Sequence, residues 1–411
     1  MTIYYKITNK EEIHYGYKYK VGLNILEEDF NDDIIDDCNK GGFYFTTADN
    51  IDLFYNMGCN LRIIELPFDN LNFKMIQLNN KYRSNMIIFK EKYEFNNLDD
   101  FKKIYEINTN LIIVQYIYNI EILEWLKIVE HDNLQKFISL IIDNACENNI
   151  IELLEWVKHS NYKFKYNKNS LIKASENGHI EILKWFYNSN YNFQYCDYIS
   201  IEAAKNGHIN ILEWLKSIEM DCKDFYQIFI HIAKTGKVNV LDWYKQNYNV
   251  SHCDSRFILI NAACNGHVNI LEWFNNENYK FTHITDAIHY AANYGQSNIL
   301  DWFDNSNYEF KYNDTAINNA ASNGHINILE WFKNSKHEFK YTNHAINNAC
   351  KNGHVHVLEW FKNYGHKFTF NKYQLENALH NNHHNVIEWF KLNYFYHSSN
   401  NVKYNKKKLF N

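Results

Sequence analysis

The sequence is poor in residues that break regular structure or commit a chain to one partner. Of 411 residues, one is proline (Pro67) and three are arginine (Arg62, Arg83 and Arg256). So little proline excludes a polyproline or collagen-like chain. Neither sign of charge is in large excess: Lys and Arg number 42, Asp and Glu 48, for a net charge of −6. That balance excludes a global attraction to nucleic acid or to an anionic membrane, and Lys406 to Lys408 are too few to change it. No apolar run reaches about 18 residues, so no membrane span is expected. The first twelve residues lack the apolar core of a secretory signal. The eight cysteines contain no C-x-x-C pair, and so long a chain needs no disulfide framework. They read as thiols in a reducing compartment, which makes the expected protein soluble and intracellular.

Motifs for common chemistries are missing as well. There is no G-x-x-x-x-G-K-[ST] loop and no G-x-G-x-x-G. His337-Glu338 does not extend to H-E-x-x-H, because position 341 is Tyr341. Gly41-Gly42 alone reads as a tight turn.

What is present is a repeat. The ten tryptophans are Trp125, Trp156, Trp185, Trp214, Trp243, Trp273, Trp302, Trp331, Trp360 and Trp389, spaced by 31, 29, 29, 29, 30, 29, 29, 29 and 29 residues. Seven residues before a Trp stands Gly178, Gly207, Gly236, Gly266, Gly295, Gly324 or Gly353, with Asn149 and Asn382 in two outlying units. Glycine and asparagine tolerate positive φ, so each marks a sharp turn between two helices. Four residues earlier comes an alanine, from Ala145 to Ala378, replaced once by Ile232; a small residue there lets helices approach closely. After the turn, Ile326, Ile328, Leu329, Trp331 and Phe332 fall on one broad helical face. Asn327, Glu330 and Lys333 fall on the other. Five residues after the Trp, Asn161, Asn190, Asn278, Asn307 or Gly365 predicts a left-handed cap. An alternating stretch such as Tyr308 to Tyr312 then reads as an extended link. Each unit is therefore helix, turn, helix, link, and units must stack to bury their apolar stripe, with a buried Trp expected in each.

The run Ala316-Ile317-Asn318-Asn319-Ala320-Ala321-Ser322-Asn323-Gly324-His325 resembles the ankyrin stretch P-L-H-x-A-A-x-x-G-H, and His289 keeps its histidine. The resemblance covers about residues 120–395. It departs from the family in its period of 29 rather than the usual ~33, and in lacking the D-x-x-G-x-T-P turn, so a shortened finger is expected. The Trp-rich short repeat and the wealth of Asn, Ile, Lys, Tyr and Phe together resemble the ankyrin repeat proteins of giant, mimivirus-like viruses. That resemblance implies a mainly α, ankyrin-like helical solenoid that binds a host or viral protein in the host cytoplasm.

Residues 1–95 lack the repeat. Tyr4 to Ile7, Gly42 to Thr46 and Leu61 to Pro67 read as strands and Asn50 to Met57 as a short helix, giving a small α+β domain. Residues 96–119 read as a helical cap with helices over Phe101 to Ile107 and Leu111 to Tyr118. Residues 120–395 hold about nine to ten repeats, and 396–411 form a polar, Lys-rich tail with no F-box-like motif.

Three stripes could carry chemistry. His179, His208, His267, His325, His354 and His383 each follow a turn. Stacked helices lie about 8–10 Å apart whereas zinc–nitrogen bonds are about 2.0–2.1 Å, so hydrogen bonding at the start of the second helix is the expectation, with no metal there or at His380, His383 and His384. Glu124, Glu155, Glu213, Asp242, Glu272, Asp301, Glu330, Glu359 and Glu388 each precede a Trp, broken by Lys184, and read as a solvated ridge. The link aromatics could stack bases, but the acidic balance argues against nucleic acid. Cys146 and Cys350 read as small buried apolar groups.

By the ankyrin resemblance, the residues just before the turn glycine face the groove. They are Glu176, Lys205, Lys234, Cys264, Asn293, Ser322 and Lys351, which vary on a constant frame. The reading is a monomeric, non-enzymatic scaffold for protein–protein interaction that needs no cofactor and contacts neither nucleic acid nor membrane. The alternative makes the N-terminal domain an enzyme whose substrate the repeats recruit, although residues 1–95 show no catalytic constellation.

Overall fold

A computed structural model describes residues 2–33, 40–109, 118–248, 255–365 and 372–395. The expected helix over Leu111 to Tyr118 falls almost wholly outside these residues, and the tail at 396–411 falls outside them. The described residues separate into two compact units. One runs up to 174 and includes 179–194; the other holds 175–178 and the residues from 195 on.

The first unit begins with nine strands: β1 (Tyr4–Thr8), β2 (Ile13–His14), β3 (Tyr17–Lys18), β4 (Gly22–Ile25), β5 (Phe43–Thr47), β6 (Asn60–Glu65), β7 (Met75–Gln77), β8 (Tyr82–Ser84) and β9 (Met86–Glu94). Seven form an antiparallel sheet in the order β4-β9-β6-β1-β5-β8-β7, and β2 and β3 form a separate hairpin. The strands read from the sequence are β1, β5 and β6, and the helix read at Asn50 to Met57 is the second part of a 3-10 helix, Ala48–Met57. The period of two sorts the sheet into two cores. Tyr5, Ile7 and Leu61 pack with Ile51, Phe95 and Ile104 on one face. Phe43, Phe45, Ile64, Ile87 and Phe89 pack with Tyr19 on the other. Helix Leu98–Ile107 supplies Ile104 and starts at Asn97, whose side chain accepts from the Asp100 N–H.

A bulge lets β9 serve both cores. Between the pairs Ile64↔Phe89 and Arg62↔Lys92, β9 contributes one residue more than β6. The extra residue turns Tyr93 to the face opposite Phe89. Arg62 donates to the Lys90 carbonyl inside the bulge at 3.3 Å and forks onto Glu12, with Nε–Oε1 and Nη2–Oε2 both 2.7 Å.

Among the described residues, nine helix pairs follow a lone tryptophan helix, Ile120–Val129. Asp314–Ser322 and Ile326–Asn334 show the pattern. The Asn313 side chain accepts from the Thr315 N–H and caps the first helix. Ala316, Ile317, Ala320 and Ala321 are fully buried. Gly324, at φ +81°, reverses the chain, and the His325 N–H closes the turn on the Ala320 carbonyl at 2.9 Å. Asn149 and Asn382 adopt the same left-handed conformation, at φ 58° and 59°. The second helix buries Ile328, Leu329 and Phe332. In the second unit each first helix packs on the first helix of the next pair, from Asp197–Asn206 through Lys372–His380, across the buried alanine column.

Two expectations need correction. The left-handed cap after the second helix occurs at Asn278 and Gly365, and at Glu219, but not at Asn161, Asn190 or Asn307. There the preceding Ser160, Ser189 or Ser306 ends the helix in an extended conformation. Its hydroxyl donates three residues back, to the carbonyl of Val157, Phe186 or Phe303. A serine that bonds its own helix end removes the need for a left-handed residue. The tryptophans are also less sheltered than expected. Trp156, Trp243, Trp360 and Trp389 are buried, while Trp125, Trp185, Trp214, Trp273, Trp302 and Trp331 are half-buried. The deepest positions belong to the Ile-Leu pair and to the residue after the Trp, as in Ile328, Leu329 and Phe332.

Candidate protein-binding surface

The seven residues Glu176, Lys205, Lys234, Cys264, Asn293, Ser322 and Lys351 lie at the C-terminal ends of first helices. Lys234 and Lys351 are exposed and the other five half-buried. Lys205 is tied to Glu202 at 2.9 Å. What four of these positions share is a backbone role. The Glu176 carbonyl accepts from His208 Nε2, the Lys234 carbonyl from His267 Nε2 and the Asn293 carbonyl from His325 Nε2, each at 3.0 Å. Gln296 replaces histidine in one unit and donates to the Cys264 carbonyl at 3.1 Å. His179 reaches the preceding repeat through Nδ1 instead, at the Cys146 carbonyl one position earlier, within the first unit. The expected hydrogen bonding of the histidine stripe is thus found, but it crosses from one repeat to the preceding one: the His325 side chain does not cap its own helix. Among the described residues, no group of three or more His, Cys, Asp or Glu is placed to hold a metal.

A second row of bonds runs beside the first. Asn269, Asn298, Asn327 and Asn385 donate to the carbonyls of Gly236, Gly266, Gly295 and Gly353 at 2.9, 2.8, 2.7 and 3.0 Å. His356 does so for Gly324 at 3.0 Å. The glycine matters for room as well as for φ: a Cβ on Gly295 would lie 2.8 Å from His325 Nδ1.

A third row uses the acidic residues read as a solvated ridge. Trp156, Trp185, Trp273, Trp331 and Trp360 donate through Nε1 to Glu124, Glu155, Asp242, Asp301 and Glu330 of the preceding repeat, at 2.5–2.7 Å; Trp389 bonds Glu359 in the same way. The indole bond is the first cause holding Glu155 and Glu330 below the usual carboxylate range. The polar stripe of each second helix is therefore the joint between repeats. The signal was its fixed identity, because an unused wet surface has no reason to keep Asn and Glu at one period.

The link aromatics are engaged within the array. Phe164 stacks on Trp185 and Tyr191, with centroids 5.8 and 3.7 Å apart. Phe310 stacks on Trp331 and His337 at 5.4 and 4.2 Å. One surface residue escaped the sequence reading. The residue between the strip position and its turn glycine is Asn177, Asn206, Asn265, Asn323 and Asn352 in five units, but Tyr294 in another, where it is 53% exposed beside Asn293. Its departure from asparagine could have marked it.

A constant frame of helix pairs tied backbone to side chain, with variable residues at the helix ends, defines an ankyrin-type repeat array, and the chain belongs to the ankyrin repeat proteins. Residues 288–372 match a family model described as three copies of ankyrin repeats. The chain is similar to an ankyrin repeat protein of Acanthamoeba polyphaga mimivirus, 44% identical over 101 residues, or 24% of this chain and 30% of that protein. An uncharacterized protein of the same virus is 43% identical over 107 residues, 26% of this chain and 78% of the relative. Another of its ankyrin repeat proteins is 44% identical over 88 residues, 21% and 44%. The chain thus spans less than half the length of two of these three relatives. Among the described residues no helix is long and apolar enough to cross a membrane.

Proposed function

We propose that the chain is a non-enzymatic scaffold whose repeats bind a host or viral protein through the strip from Glu176 to Lys351, and that it acts as a monomer in the host cytoplasm. The observation that carries this reading is the division of labour at the strip. The carbonyls of Glu176, Lys234, Cys264 and Asn293 are fixed by the following repeat, so their side chains can change without loosening the stack. Repeat solenoids of this kind present such positions as an extended binding surface. Tyr294 adds an exposed aromatic of the type enriched at binding hot spots, and Lys234 and Lys351 add charge that favours an acidic patch on the partner.

The test is affinity capture from virus-infected cells with the full chain, comparing wild type with Tyr294→Ala and with the pair Lys234→Glu and Lys351→Glu. A partner retained by wild type and lost by both variants, at unchanged melting temperature, supports the reading. Equal capture by all three would remove the strip from the interface.

A further inference from the structure

The pairing of β1 within the N-terminal sheet is uneven. β1 pairs with β6 at five positions, Tyr4 to Thr8, but with β5 at only two, Tyr4↔Thr47 and Tyr5↔Thr46. Beyond Tyr5 a slot opens between β1 and β5, a cavity of about 100 Å³. The carbonyl of Tyr44, past the last pair with β1, accepts from Lys6 Nζ at 2.7 Å.

Lys6 is an unusual residue to place there. It lines the slot at 7% exposure. One of its three N–H donors is used by Tyr44, its ammonium lies 5.2 Å from the Tyr19 ring centre, and among the described residues no carboxylate pairs with it. The nearest balanced charge is on the neighbouring strand: Arg62, the cross-strand partner of Lys6, holds both oxygens of Glu12. The slot lining includes Lys6, His14 and Lys81 but no acid. Lys81 lies over the Tyr44 ring at 4.9 Å. Burial alone brings Lys6 down to about 7 from the ordinary lysine value. Buried ammonium groups are normally paired, so the missing counter-charge points to a ligand.

Apart from the neutral polar groups of Thr8, Asn9 and Thr46, the rest of the slot is aromatic or aliphatic. Ile7, Phe45, Ile51 and Phe54 line it, and Ile13, Tyr15 and Met57, all exposed large hydrophobics, stand at its mouth. The hairpin of β2 and β3 covers one side through a two-residue turn, Tyr15-Gly16, with φ of 49° and 83°. Positive φ suits the tight hairpin turn, yet it is uncommon for a bulky aromatic. The turn thus holds Tyr15 in a conformation it would not choose, with its ring centroid 4.3 Å from that of His14.

We propose that the slot between β1 and β5 binds a small amphipathic monocarboxylate, with its head on Lys6 Nζ and its apolar body along Ile7, Phe45, Ile51 and Phe54. One ammonium with spare donors matches one negative charge. A phosphate dianion would call for a second cation, and the nearby ones are engaged with Glu12 and with the Tyr44 ring. An apolar cavity of about 150 Å³ holds benzene, so a slot of about 100 Å³ takes a short chain rather than a ring, with anything longer emerging past Met57. The site is independent of the repeats and of their proposed partner.

The test is calorimetric titration of the full chain with hexanoate and with hexan-1-ol, which share a body and differ in charge. Hexanoate should bind one to one and at least about tenfold tighter than the alcohol, since a hydrogen bond to a charged group is among the stronger kinds. Lys6→Met should abolish that preference, and Met57→Glu, at the exposed mouth, should weaken hexanoate while leaving the melting temperature unchanged. Failure of hexanoate to bind at millimolar concentration would overturn the proposal. So would equal affinity for the alcohol, or an undiminished preference in a folded Lys6→Met protein. If Lys6→Met does not fold, Met57→Glu decides: unchanged hexanoate affinity in that variant also overturns it.

Discussion

The indole Nε1 of Trp360 donates to the carboxylate of Glu330, one repeat earlier, at 2.6 Å. One residue of the outward stripe thereby holds two repeats together. Glu330→Ala removes the acceptor and leaves a buried indole N–H without it. The array should lose about 1–2 kcal/mol, read as a lower denaturant midpoint, whereas Glu338→Ala on the exposed link should change little. The acid limb follows in sign. Because the indole bond lowers the Glu330 pKa in the folded state, its contribution is full above the unfolded glutamate value, about 4.3, and is lost as pH falls through the lower folded value.

Gly295→Ala combines two faults. The residue sits at φ +76°, and the added methyl would meet the His325 ring at 2.8 Å. A loss of more than about 1 kcal/mol is expected, visible as a lower thermal midpoint. Asn382, which already holds that conformation in an outlying unit, identifies the milder replacement: Gly295→Asn should keep the turn while still crowding the ring.

His354 carries a pH dependence of its own. Burial first, then the neighbouring His356 and His325, lower its pKa, while a bond to the Ser322 backbone acts in the opposite direction. A histidine depressed in the folded state favours the fold while neutral. Its contribution is complete above the unfolded value, about 6.5, and declines as pH falls from there toward the folded value. His354→Gln, which copies the natural Gln296, should flatten the change in stability between pH 7 and pH 5 measured by denaturant titration.

In the N-terminal sheet, Glu12→Ala strands the guanidinium of Arg62, whose side chain is 7% exposed. Breaking one partner of such a pair costs about 3–5 kcal/mol. The double replacement Glu12→Leu with Arg62→Met should recover much of that loss. Guanidinium unfolding of the three chains checks both statements.

How much of this was legible depends on what kept the period. The Trp, Gly and Ala columns recur at fixed spacing, and they gave the helix pairs, the left-handed turns and the buried alanines. The polar stripe recurs as faithfully, yet its role was hidden. A helical wheel places Asn327 and Glu330 away from the apolar face, and only the stacking brings them against Gly295 and Trp360. Strand β9 was missed because Met86 to Glu94 opens as a continuous apolar run and ends as a charged one, so neither half alternates. Lys6 was hidden for the same kind of reason. It reads as the polar member of an alternating strand until the early end of pairing with β5 leaves it inside.

The three rows of bonds all run one way, from a donor in one repeat to an acceptor in the repeat before it. Where all three rows are made, as at Lys234, Gly236 and Asp242 and again at Asn293, Gly295 and Asp301, the junctions therefore offer the same chemistry to whatever follows. Excising residues 296–324 would join Gly295 directly to His325, and His325 with Asn327 would then stand where Gln296 and Asn298 now meet Cys264 and Gly266. A gene built on such interchangeable seams can gain or lose copies by in-frame recombination without redesigning any joint. The reach of the binding surface is then open to selection separately from its composition.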